Sequence, residues 1–409
     1  MHVVVRTGRR ALVPLAGAAV LLSGLPSTAT GATPRNPDYE MPFPCGDTWN
    51  GSSRYNHSPS AWAIDWNGDR DLGAIMVAAA PGVVTSVVNL GDRSYGRYVV
   101  VDHGRGRTSL YAHLSAFWAT QGQAVDQGTP LGLVGSSGGS SGPHLHFEER
   151  TNKSDHRAYF HRRSFVMGTT AASRNCGDMP VVGDWDRNGT TNVGVRRLST
   201  SPRFALRRPG KAALSIRYGW RTDQPLSGDW DGDGTSEIGS RRPGLAAFVL
   251  RNRNGSIRKI PMGRISDVGV TGDWNGDRRT DVGVWRPRTR VFTLRAANGS
   301  TRTVTLGSLG DRPITGDWNG DGRTDLGVYS ARTSTFRLRS VARNGAVNFT
   351  TVAWGLPTSL PVSGDWDGDG IGDIGMWNPS TAVFSLRLSP HGSRTTGVKR
   401  LVPWGLTRG

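Results

Sequence analysis

Two histidines one residue apart, His144 and His146, lie in the stretch Gly135–Glu149, GSSGGSSGPHLHFEE. HLHFE reads as a short β-strand behind a glycine- and serine-rich loop. Side chains alternate across a strand, so both imidazoles share one face while Leu145 and Phe147 point the other way. The apolar pair can enter a core and leave the imidazoles over an open surface. Imidazole is the commonest protein ligand for zinc, and a zinc ion with three protein ligands keeps a fourth position for water. The chemistry within reach of such a pair is metal-assisted hydrolysis. A histidine pair alone is more often structural, so the rest of the chain has to supply the other ligands.

The segment around this pair, about Met41 to Cys176, is dense in Gly, Val and turn residues. Apolar runs of strand length occur at Ile75–Ala80, Gly82–Leu90, Arg97–His103, Thr108–Leu114, Pro130–Val134 and His144–Glu149. Glycine- and aspartate-containing turns separate them, and no long helical period is present. The expectation is a mainly antiparallel β domain with His113 on one of its strands. His103, in a DHG turn, reads as structural, and His156 and His161, in SDHRAYFHRR, as solvated. There is no HExxH, which excludes a glutamate-based zincin.

Four stretches fall in a telling order: His57-SPSAWAI-Asp65, Tyr98-VVVDHG, Leu110-YAHL and Gly142-PHLHFE, with GTPLGLVGSSGGSSG between the last two. Together they resemble the lysostaphin-type (LytM-like) zinc endopeptidases that cut peptidoglycan peptides. The resemblance covers about Phe43 to Glu149. It implies one catalytic zinc held by His57, Asp65 and His146, with His113 and His144 flanking a water. One of these two histidines would take the water's proton and the other would steady the developing oxyanion. It gives Glu148 no catalytic role, although Glu148 shares the face of His146. The commoner family form has three residues between the first His and the Asp, whereas seven stand here.

The N-terminal segment leads to the expectation that the chain is exported. Residues 1–32 read as a signal peptide, with Arg6, Arg9 and Arg10 ahead of the short apolar run Ala11–Leu25, broken by Pro14 and Gly17. That run is too short and interrupted for a stable membrane anchor. Residues 33–40 form a linker. The two cysteines, Cys45 and Cys176, stand in no metal-binding spacing and should form one bridge across the ends of the first domain. The chain has 409 residues and a formal charge of +18, and lysine occurs only at positions 153, 211, 259 and 399. This arginine excess suits an acidic partner, whether nucleic acid, an anionic membrane or the anionic polymers of a cell wall, and is compatible with a cell-surface setting. The basic residues are scattered, and no nucleic-acid module is recognisable.

From 177 to 409 the chain repeats itself. GDWDRNGTTNVG, GDWDGDGTSEIG, GDWNGDRRTDVG, GDWNGDGRTDLG and GDWDGDGIGDIG begin at Gly183, Gly228, Gly272, Gly316 and Gly364. A period in the forties with four short strands per unit is the signature of a β-propeller. The units resemble FG-GAP/VCBS-like repeats, whose loops bind structural calcium through closely spaced oxygen ligands. By that resemblance the ligands are Asp184, Asp186 and Asn188, with Asn192 in the ninth place; Asp229, Asp231, Asp233 and Glu237; Asp273, Asn275, Asp277 and Asp281; Asp317, Asn319, Asp321 and Asp325; and Asp365, Asp367, Asp369 and Asp373. The rival reading is that these carboxylates only cap turns. Asp65-WNGDRD looks like such a loop by coincidence. Counting strands from the first loop onward leaves the fifth unit one short. Pro180–Trp185 is therefore expected to pair beside the C-terminal strand and complete it.

The whole reads as an all-β chain, a zinc peptidase domain at 41–176 followed by a five-unit propeller at 177–409. The expected function is a secreted, extracellular zinc endopeptidase acting on peptidoglycan peptides, with the propeller for binding or targeting. Two alternatives stand beside it: a non-enzymatic wall-binding or adhesion protein, and a zinc peptidase acting on a Gly-rich protein.

Overall fold

Alternation along the strand Leu145–Thr151 sets the first core. Leu145 and Phe147 are fully buried in it, each contributing about 1.5–3 kcal/mol, while His146 points to the other face. The computed structural model describes residues 38–53, 60–388 and 398–405. His57 and the signal segment lie outside the described residues.

Leu145–Thr151 is central in a nine-stranded sheet. The order along it is Thr169–Ala172, Thr48–Ser52, Ile64–Asn67, Leu145–Thr151, Arg107–Ala112, Arg97–Gly104, Gly82–Asn89 and Ala124–Val125, with Ser154–His156 pairing on Leu145–Thr151. The pairings in this sheet are antiparallel. A second sheet of Ile75–Val77, Pro130–Val134 and Leu114–Phe117 shares the core through Met76, Leu114, Leu131 and Val134. The expected strands are present, with one correction. His113 is not on a strand. It stands between Ala112 and Leu114 with φ 61, at the corner where the chain leaves one sheet for the other. Cys45 and Cys176 are disulfide-bonded, with their Cα atoms 4.8 Å apart. The bond ties the start of the domain to its last residue before the strand Gly177–Gly183.

The repeats form five four-stranded antiparallel sheets, spanning 177–217, 224–261, 268–305, 311–353 and 360–403. No α-helix occurs among the described residues. Each GDW motif has a separate use for each residue. The tryptophan, at 185, 230, 274, 318 and 366, is buried. The aspartate accepts backbone N–H groups of its own loop, as Asp229 does from Gly232 at 2.7 Å and Gly234 at 2.8 Å. The glycine leaves room for the next repeat: a Cβ on Gly272 would lie 2.5 Å from Thr324 Cγ2 and 2.6 Å from the Trp274 ring.

The expected strand exchange does not occur. Val181 lies opposite Gly194 in the first sheet, and the fifth sheet has four strands of its own, with Val402 opposite Phe384. Each unit begins with the strand leading into its GDW motif rather than ending on it, because that strand and the next form a hairpin around the aspartate loop. Closing that short loop costs far less entropy than pairing the two ends of the repeat array.

One contact recurs between successive sheets. Ser236 N donates to Asp184 O at 2.7 Å, Thr280 N to Asp229 O at 2.7 Å, Thr324 N to Asp273 O at 2.7 Å and Gly372 N to Asp317 O at 2.5 Å. Thr191 N in the first sheet donates to Asp365 O in the fifth at 2.6 Å. The first domain docks on the repeats near its edge strand Ala124–Val125. Gly310 N donates to Gly122 O at 2.8 Å and Arg312 pairs with Asp126, while Arg221 reaches Asp47 at 2.6 Å and the Cys45 carbonyl at 2.8 Å.

Replacing both Cys45 and Cys176 with Ser is expected to lower unfolding stability by about 3 kcal/mol. Denaturant titration reads the loss, and thiol labelling of the unreduced, denatured wild type should find no free thiol.

Candidate metal and catalytic site

Asp65 and His146 face each other because Ile64–Asn67 pairs with Leu145–Thr151 in a register that sets one opposite the other. Asp65 Oδ1 lies 3.2 Å from His146 Nδ1 and 3.5 Å from His144 Nε2. Asp65, His113, His144 and His146 are all buried. The His113 ring centroid is 4.8 Å from that of His144 and 5.6 Å from that of His146. Four of the five expected residues therefore meet in one buried cluster, and the fifth, His57, lies outside the described residues. The position four before Asp65 holds Ala61, which is exposed and has no ligand atom to offer.

Backbone carbonyls fix two of the rings. His113 Nδ1 is 2.8 Å from Ser137 O, and His144 Nδ1 is 2.9 Å from Gly142 O. A carbonyl only accepts, so both Nδ1 atoms carry the proton and both Nε2 atoms keep a lone pair. Burial, with the two neighbouring imidazoles, pushes the His113 pKa down to about 4. His113 is therefore neutral near pH 7 and able to accept a proton. The loop carrying these carbonyls packs against Ser94–Gly96, where a Cβ on Gly138 would lie 2.3 Å from Gly96 N.

His146 is held from behind by a residue to which sequence reasoning gave no role. Glu148 is 1% exposed, and its Oε1 lies 2.8 Å from His146 Nε2. Tyr95 donates to the same oxygen at 2.9 Å, and Arg150 Nε donates to Oε2 at 2.5 Å. Burial alone would raise the Glu148 carboxyl, but the hydrogen bonds from His146 and Arg150 hold it down to about 2. The two-residue spacing from His146 was the signal for this carboxylate. With its Nε2–H donated to the Glu148 carboxylate, a neutral His146 turns its Nδ1 lone pair toward Asp65. Two acceptors at 3.2 Å need a proton or a cation between them. Burial disfavours a charge on His146, yet Asp65 and Glu148 outweigh it and raise its pKa. A metal ion answers the same demand, and a carboxylate with imidazole nitrogens is a donor set that zinc accepts.

The remaining histidines of the domain lie in other contacts. His103 bridges Pro81 O at 2.7 Å and Ser109 Oγ at 2.8 Å. His156 contacts Thr151 Oγ1 at 3.1 Å, and His161 meets the buried Glu40 at 2.8 Å, so neither is merely solvated. Asp71 accepts from Gly68 N at 2.5 Å, which leaves Asp65 to the histidines.

An all-β domain with a buried carboxylate and clustered imidazoles of fixed tautomer has the build of a hydrolytic metal centre. Residues 61–157 match the model of peptidase family M23. The match contains Asp65, His113, His144 and His146 and begins after His57. A 75-residue stretch is 49% identical to the DD-carboxypeptidase/endopeptidase Mpg of Neisseria meningitidis serogroup B, covering 18% of this chain and 17% of that protein. A 113-residue stretch is 32% identical to the peptidoglycan DD-endopeptidase ShyA of Vibrio cholerae, covering 26% of each. An 89-residue stretch is 39% identical to the murein hydrolase activator EnvC of Escherichia coli, covering 21% of each. The chain thus spans only a small part of the length of these relatives.

Glu148→Gln keeps the shape but removes the charge behind His146. Zinc affinity, read by chelator competition, is expected to fall about 10–100-fold, and unchanged affinity would leave Glu148 without this function.

Proposed function

We propose that this chain is an exported zinc endopeptidase that cuts the peptide part of peptidoglycan. The observation that carries the reading is the buried cluster in which Asp65 faces His146, with His113 and His144 beside them. The M23 match and the peptidoglycan activity named for ShyA support the substrate class. Asp65, His146 and His57 would hold the zinc, which when bound brings the pKa of a coordinated water to about 7. His113 and His144 present unprotonated Nε2 atoms to this cluster. One takes a proton as the base, and once protonated it can return that proton to the leaving amine. The other, when protonated, donates a hydrogen bond to the developing oxyanion. Glu148 and Arg150 keep His146 from turning. Export is supported by the composition of residues 1–32 and fits the disulfide.

The five repeat sheets are proposed to close into a five-bladed propeller that targets the enzyme. The support is the Thr191–Asp365 hydrogen bond, which repeats between the first and fifth sheets the contact made by the other neighbours. A second support is Gly405, where a Cβ would lie 2.9 Å from Asp178 Oδ2, much as one on Gly219 would lie 3.1 Å from Asp223 Oδ2. Calcium is proposed in the loops, most firmly in the second and fifth. Asp229, Asp231 and Glu237 offer oxygens within 4.8 Å of one another, as do Asp365, Asp367 and Asp373. Glu237 is 7% exposed and its Oε1 has no hydrogen-bond partner. Burial, with Asp231, Asp229 and Asp233 nearby, pushes the Glu237 pKa up to about 7. A bound cation would relieve that charge crowding.

His146→Ala or Asp65→Ala is expected to lose zinc and cell-wall hydrolysis together. His113→Ala or His144→Ala should keep zinc and lose turnover by about 100-fold or more. Full hydrolysis by His113→Ala would contradict the division of roles, and wall binding without hydrolysis by the zinc-loaded wild type would favour the non-enzymatic reading.

Calcium should raise the melting temperature of the chain by several degrees, and a calcium-selective chelator should reverse the rise. Glu237→Ala should reduce it, whereas an unchanged melting curve in saturating calcium would leave the aspartates as turn caps.

A further inference from the structure

Two neighbouring clefts between the repeat sheets are built alike and lined with arginine. The cleft between the second and third sheets has a volume of about 320 Å³ and is lined by Arg258, Arg279 and Arg295 beside Trp230. The cleft between the third and fourth sheets has a volume of about 440 Å³ and is lined by Arg302, Arg323 and Arg339 beside Trp274. The trios correspond position by position. Arg258 lies opposite Leu250, and Arg302 opposite Leu294. Arg279 and Arg323 each precede the loop threonine, and Arg295 and Arg339 each follow the core leucine of their strand.

Among the described residues, none of these six guanidinium groups forms a hydrogen bond or an ion pair, while Arg242 and Arg286 in the same sheets pair with Asp223 and Asp267. Arg279 and Arg323 lie over the acidic loops of the preceding sheets, against Gly232 and Gly276. Lys259 and Asp281 also line the first cleft, and Arg343, Asp321 and Asp325 the second. Burial, then the neighbouring Arg339 and Arg323, lowers the pKa of Arg302. Positive charge is therefore gathered here beyond what the local carboxylates balance.

The fold does not require the full trio. At the loop position the other three repeats carry Thr190, Thr235 and Ile371, and opposite the core leucine the first and fourth sheets carry Leu214 and Thr350. The arginine after the core leucine recurs in all five units, as Arg207, Arg251, Arg295, Arg339 and Arg387, and belongs to the fold, whereas the other two members of the trio vary. The full trio occurs only in two adjacent clefts, and adjacency gives the pair a direction along which an extended ligand can run.

We propose that these clefts form a repeated site for a linear polymer bearing phosphate groups, one phosphate to each trio. Guanidinium groups donate paired N–H bonds in a fixed fork, and three of them around one cleft suit the many acceptor directions of a tetrahedral oxyanion. The inference gives the repeats a ligand class and stands whether or not the first domain cuts peptides.

The test uses the full chain and inorganic polyphosphate, with orthophosphate and poly-glutamate as comparators, at physiological salt. Arg302→Gln with Arg339→Gln should weaken polyphosphate binding about tenfold or more. Arg203→Gln with Arg217→Gln removes the same charge from an exposed strand pair outside the clefts and should change binding by less than about twofold. Arg302→Lys with Arg339→Lys keeps the charge without the fork and should fall between the two. Melting curves taken alongside show that each variant is folded. Equal losses from both Gln pairs would overturn the site in favour of diffuse attraction. Poly-glutamate binding as tightly as polyphosphate would overturn the phosphate assignment, and orthophosphate binding as tightly as the polymer would overturn the paired use of the clefts.

Discussion

A neutral imidazole has two nitrogens and one proton, and the first domain is arranged around where those protons go. Glu148 accepts a hydrogen bond from the Nε2–H of His146, so the Nδ1 lone pair meets Asp65. The carbonyls of Ser137 and Gly142 accept hydrogen bonds from the Nδ1–H of His113 and His144, so their Nε2 atoms stay open. Two parts of the chain place these partners. The Glu148 carboxylate comes from the same strand, and the two carbonyls come from the glycine- and serine-rich loop. That loop can pack beside Gly96 only because Gly96 and Gly138 lack side chains. The nine-stranded sheet supplies the register that brings Asp65 opposite His146, and the second sheet supplies the corner that turns His113 inward.

Much of this was legible in the sequence. Period-two alternation put Leu145 and Phe147 in the core and His146 over the open face, and the strands of the first domain fell close to where their apolar runs predicted. The corner at His113 was not legible, because YAHL reads as an ordinary strand locally. Its left-handed backbone follows from Leu114 having to join a different sheet from Ala112, which is a tertiary demand. The parity that paired His144 with His146 also pointed to Glu148, but parity alone does not show that a carboxylate will be buried and bonded to an imidazole.

In the repeats the motifs were plain, but the unit boundary was misread. The GDW motif draws attention as a beginning, whereas the strand before it belongs to the same hairpin as the strand after it. Once that strand is placed first, every sheet is complete with four strands, and the Thr191–Asp365 hydrogen bond links the first and fifth sheets without a strand exchange. The repeats are also unequal. The Trp core and the Asp-capped turns recur throughout, while the acidic loops and the arginine clefts are strongest in different units. The shared features belong to the fold, and the uneven ones are where binding is to be sought.

The central claim is hydrolysis of peptide bonds at a zinc centre built on Asp65 and His146. Mass spectrometry of purified peptidoglycan after incubation with metal-stripped and zinc-reloaded protein tests it most directly. The account predicts new amine and carboxylate ends within the peptide stems, appearing only with the reloaded protein. Release of new sugar reducing ends, or no release by protein shown to hold zinc, would contradict it.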